Sequence, residues 1–86
     1  MKITAYVQLI FEDEIVEEFQ GTDFEDGVTP TMDKWLEFKS FLAFHKEGVD
    51  DGATYEYQGS ISVGGVELPL NQETLLTLAK QIDAEM

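Results

Sequence analysis

The chain has 86 residues, of which 18 are Asp or Glu against five Lys, no Arg and one His, for a formal charge of -13. Five scattered lysines cannot neutralise phosphates, which excludes direct nucleic-acid binding, and the same field repels an anionic membrane surface. The absence of Cys excludes disulfides and thiolate metal sites, while 43% apolar residues, ten aromatics among them, separate the chain from acidic disordered tails.

The length allows one domain, residues 1–86. Met1-Lys2-Ile3-Thr4 passes straight into alternating sequence, which reads as no signal peptide. No run reaches the roughly 18 apolar residues of a membrane span. The expected location is cytoplasmic. From residue 3 to 11, Ile3, Ala5, Val7, Leu9 and Phe11 share one face, with Thr4, Tyr6, Gln8 and Ile10 on the other; this period of two predicts a strand with one buried face. After Glu12-Asp13-Glu14, residues 15–20 (Ile-Val-Glu-Glu-Phe-Gln) read as a second strand. A three-residue turn would set Phe11 opposite Ile15 and Val7 opposite Phe19, although the turn lacks the Gly or Asn that would define its type. Phe11, Ile15 and Phe19 also fit a helical spacing of four.

Residues 21–29 read as a loop. Thr29 and Pro30 make a cap and first-turn pair for a helix running to about Glu47 and stopping at Gly48. Trp35, Phe38, Leu42 and His45 form its apolar stripe, which Met32, Leu36 and Ala43 widen and Phe41 borders. Phe44 falls instead among Asp33, Glu37 and Ser40. From Ala53 to Val63 every odd residue is apolar or Gly and every even residue polar, one long strand with a weak point or bulge at Gly59. Gly64-Gly65 is a two-residue hairpin turn pairing Val63 with Val66, Ile61 with Leu68 and Ser62 with Glu67. Asn71 caps a last helix, Leu70 and Leu75 staple it, and Leu75, Leu78, Ala79, Ile82 and Met86 line its buried face.

The order β-β-α-β-β-α predicts an α+β domain: a mostly antiparallel four-stranded sheet with both helices packed on one face and a polar opposite face. A β-grasp-like arrangement of the first five elements would fit.

Enzyme chemistry finds little support. His45 lies on the apolar stripe of the first helix, where a lone His is more often a packed residue than a base. Ser40, Ser60 and Ser62 lack a His and acid context, and no phosphate-cradling glycine pattern occurs. With 18 acids in the chain, the closeness of any two says little about acid–base catalysis. Residues 23–27 and 50–52 are oxygen-rich turns, but neither has the spacing of an EF-hand loop. No cofactor or metal is expected.

The acids are unevenly placed. Glu12, Asp13, Glu14, Glu17, Glu18, Asp23, Glu25 and Asp26 crowd one segment that holds no Lys, and Glu47, Asp50, Asp51 and Glu56 surround a second turn. Spread along an extended segment of at most about 50 Å, the first group carries about one charge per 6 Å, within a factor of a few of one DNA strand, about one per 3.4 Å. Such crowding opposes folding. Solubility or a high-salt cytoplasm is the plain explanation. In composition and size the chain resembles small phage-encoded inhibitors: DNA-mimic anti-restriction proteins, uracil-glycosylase inhibitors and certain anti-CRISPR proteins. The resemblance is one of charge and length; the crowding itself points to a non-enzymatic protein-binding module whose partner is a basic, nucleic-acid-binding protein, engaged through the eight acids of residues 12–26. The alternative is a small structural or assembly accessory protein, of viral type, that oligomerises through helix aromatics such as Phe44; a homodimer must then overcome repulsion between two chains of -13. Tyr6, Ile10 and Val16 on the polar side of the first strands would supply apolar anchors beside an acidic rim.

Overall fold

The most apolar of the alternating runs takes the most enclosed place in the sheet. In the computed structural model, which describes residues 2–84 and side chains as far as residue 82, β1 (Ile3–Phe11) lies between β2 (Glu14–Phe24) and β3 (Glu56–Val63), with β4 (Val66–Leu68) outside β3. All three pairings are antiparallel, so the fold is α+β as the element order predicts, without the parallel central pair of a β-grasp. Two helices, α1 (Met32–Asp50) and α2 (Gln72–Ala84), cover one face. Ile3, Ala5, Val7 and Leu9 of β1 bury beneath them together with Trp35, Phe38, Phe41 and Leu42 of α1 and Leu75, Leu78, Ala79 and Ile82 of α2. Met86 lies outside the described residues.

Aromatic packing fixes β2 to α1. Phe19, Phe24 and Phe38 stand with ring centroids 5.1–5.3 Å apart, and Phe24 also meets Trp35 at 6.4 Å, geometry that adds to the area term. This contact carries the strand further than the alternation predicts: residues 21–24 are not loop, because Gly21 pairs with Ala5 and Phe24 with Ile3. Thr29 does not cap α1 with its side chain. Thr29–Thr31 forms a single 3-10 turn with Pro30 inside it, and the Thr31 hydroxyl closes the connection, accepting from the Glu25 amide at 3.3 Å.

The predicted stripe of Trp35, Phe38, Leu42 and His45 is buried, whereas Leu36 and Ala43 point to solvent and Met32 is half-buried. Nor does α1 stop at Gly48. It runs to Asp50, and Gly48 serves a close approach: a Cβ there would overlap the Tyr55 hydroxyl. Gly59 makes no bulge, since it pairs with Val7 in unbroken register. It is glycine because its φ is +119° and a Cβ would strike the Tyr6 carbonyl. The Gly64-Gly65 hairpin has the predicted register, and the Asn71 side chain accepts from the Thr74 amide at 2.9 Å, as its capping role requires.

Candidate functional site

The two hairpin turns of the sheet differ in chemistry and agree in geometry. At the β3–β4 turn Gly64 and Gly65 have φ of +60° and +82°; at the β1–β2 turn Glu12 and Asp13 have φ of +52° and +68°. Two consecutive left-handed residues form the turn whose twist suits a two-residue hairpin, for which Asn-Gly or Gly-Gly is the usual choice. Here two carboxylate residues hold that conformation, at a cost of about 1–2 kcal/mol for each residue with a Cβ, less for Asp. The turn is thus one residue shorter than predicted, and Phe11 faces Glu14 while Ile10 faces Ile15. A bulge with Val16 as its extra residue then restores Val7 to Phe19.

This turn stands at the same end of the sheet as the second acidic group. Ile10 is paired with Ile15 on one side and with Glu56 on the other. The Phe11 ring meets Tyr55 edge-on at 6.0 Å, and Tyr55 in turn reaches Gly48 on the last turns of α1. The chain therefore brings Glu12, Asp13 and Glu14 to the same end of the molecule as Glu56 and the last turns of α1, where Glu47, Asp50 and Asp51 line a groove toward Ala79 and Ile82 of α2. Lys46 joins the same end and bonds Asp50 at 2.9 Å. Neither acidic stretch reveals this meeting by itself; it depends on β3 starting beside the end of β1.

The rest of the first acidic group lies elsewhere. β2 covers about 35 Å at roughly 3.3 Å per residue, and its carboxylates are strung along it. Alternation turns Glu17 toward the helix side, opposite Leu9, and Glu18 toward the open face, where it accepts from Gln8 at 3.3 Å. Asp23 sits at a second bulge with φ of +49°; the Thr4 hydroxyl accepts from its amide at 2.9 Å and donates to its carboxylate at 3.2 Å. Glu25 and Asp26 follow at the far end of the sheet. The eight residues form a line along one edge, with three of them in the acidic end and three at the opposite one. Tyr6, Ile15 and Val16 are exposed beside this line, as is Phe44 on α1.

Beneath the acidic end is a polar pair that alternation alone does not disclose. His45 is wholly buried, and its Nε2 is 2.7 Å from the Tyr57 hydroxyl. Its Nδ1 has no hydrogen-bond partner among the described residues. Burial lowers the His45 pKa from 6.5 and, with a smaller contribution from Tyr55, raises that of Tyr57 from 10.0. Both groups stay neutral and hold α1 to β3. Among the described residues, no cluster of three His, Asp or Glu side chains is placed to hold a metal ion, and no helix is long and apolar enough to cross a membrane. No protein-family model, curated protein or solved structure matches the chain.

Proposed function

We propose that this is an acidic, non-enzymatic protein-binding module that inhibits a nucleic-acid-binding protein by presenting carboxylates where that protein takes phosphates. The observation that carries the reading is the β1–β2 turn. Glu12 and Asp13 occupy two left-handed positions that glycines fill in the sister hairpin, at the end where a second acidic group arrives from α1 and β3. A local choice that works against both backbone and charge is expected where a surface has a task. The strung carboxylates of β2 extend the same field along one edge, and a basic cleft would meet them at rates that fall with salt.

The test uses the partner itself, purified with the chain from a lysate of the source cells. Binding should weaken steeply with added salt, be displaced by duplex DNA, and lose about tenfold or more in the Glu12→Asn/Asp13→Gly variant. An affinity indifferent to salt and DNA rules the reading out.

The exposure of Phe44 and Leu36 on one side of α1 favours a second reading, an assembly accessory protein that oligomerises through this helix. In that case Phe44→Ser lowers the molecular mass measured by sedimentation, and the Glu12→Asn/Asp13→Gly change leaves it alone.

A further inference from the structure

β2 is an edge strand of 11 residues, long for an edge and regular from Glu17 to Gly21 between its two bulges. Among the described residues, no backbone hydrogen bond reaches it from the side away from β1. Beside that edge runs a groove of about 840 Å³ between β2 and α1, lined by Glu17, Asp33, Lys34, Leu36, Glu37 and Phe41. Phe19, Leu36 and Phe41 give it an apolar strip, and four carboxylates, Glu17, Glu18, Asp33 and Glu37, line it as well. The chain's own Lys34 shows what such a groove accepts: its Nζ stands 5.8 Å from the centre of the Phe19 ring and 3.0 Å from Glu37.

We infer that the outer edge of β2 takes an extended, lysine-bearing segment of the partner as an added strand, with alternate side chains entering the groove over Phe41 and Leu36. Backbone pairing would supply affinity and the groove specificity. Charge selects the occupant. A second copy of this chain would set the acids of two β2 strands against each other, so the residues that block self-pairing admit a basic strand. This inference rests on the basic partner of the proposed function and adds the place and mode of contact.

Three capped peptides of about eight residues test it: one alternating Lys and Val, the same sequence N-methylated at alternate amides, and octalysine. The alternating peptide should shift the NMR amide signals of Glu17–Gln20 and Leu36–Phe41 and slow hydrogen exchange along β2. N-methylation should weaken binding about tenfold or more, as should Glu17→Lys with Glu37→Lys. The inference is overturned if the three peptides bind alike, if none binds, if the shifts fall only at residues 12–14 and 50–56, or if the protein alone sediments as a dimer through this edge. The Glu12→Asn/Asp13→Gly variant keeps the groove and should bind the alternating peptide as the parent does. Loss of the peptide with retention of the salt-sensitive partner would therefore sink the strand addition and leave the proposed function standing, and the converse would do the reverse.

Discussion

Gly48 and Tyr55 show how a single contact can reverse a general rule. An interior helical glycine normally costs about 1 kcal/mol relative to alanine, so Gly48→Ala should stabilise α1. Yet the new methyl group would overlap the Tyr55 hydroxyl, and that ring cannot retreat freely because Phe11 and His45 hold it at 6.0 and 5.6 Å. Overpacking of this kind costs about 1–3 kcal/mol, so Gly48→Ala should destabilise the protein by about 1 kcal/mol net in urea denaturation. In a Tyr55→Ala background the same change should become stabilising. His45 gives a second test. Its folded pKa lies below the unfolded value of 6.5, so the unfolded chain binds the proton first and stability must fall as pH drops from about 6.5 toward the lowered native value. Tyr57 of β3 and Tyr55 just before it, whose rings meet the imidazole, offer no negative charge to offset the imidazolium. Thermal melts across this range should slope for the parent chain and flatten for His45→Leu/Tyr57→Phe, which removes both polar partners together.

At the scale of elements, the β1–β2 hairpin separates what folds the chain from what uses it. Replacing Glu12-Asp13 with Asn-Gly should raise stability by about 1–2 kcal/mol, because both left-handed residues become favourable and two like charges leave the turn. The gain is measured by denaturation of the same variant whose partner binding is expected to fall. The contrast with Gly64-Gly65 also explains which parts of the fold could be read from residues. Alternation and glycine made the second hairpin legible down to its register, and the stripe of Trp35, Phe38, Leu42 and His45 identified the buried face of α1. At the first hairpin alternation makes the turn one residue too long, because the turn has no glycine and a bulge at Val16 hides the shift. Gly48 reads as a helix stop because its reason, the Tyr55 hydroxyl, lies seven residues away, beyond the end of the helix. For the site, the acidic residues were legible as a sequence cluster. Their division along β2 was not, nor was the union of residues 12–14 with Asp50, Asp51 and Glu56, since strand order decides both.

Across the whole molecule, the charge of -13 must be held against mutual repulsion by a core of modest size. Repulsion among exposed charges is screened over about 8–10 Å at physiological salt, so the melting temperature should rise as salt is added from low ionic strength. Reversing Glu14, Glu17, Glu18 and Glu25 to Lys removes one negative charge and adds one positive charge at each position, which takes the net charge from -13 to -5. None of these four side chains is part of the apolar core; the losses include the bond from Gln8 to Glu18 and the one from the Glu18 amide to Glu17, each worth about 1 kcal/mol or less at the surface, and an interaction of Glu25. Relief of repulsion along β2 works in the opposite direction. The reversed chain should therefore stay folded, with a far-ultraviolet spectrum like the parent's and a melting temperature that responds less to salt, while its affinity for a basic partner collapses. If the acids served solubility alone, the reversed chain would keep its partner. If they were needed to build the strand, its spectrum would change. Folding retained with binding lost is the outcome expected of charges arranged for recognition.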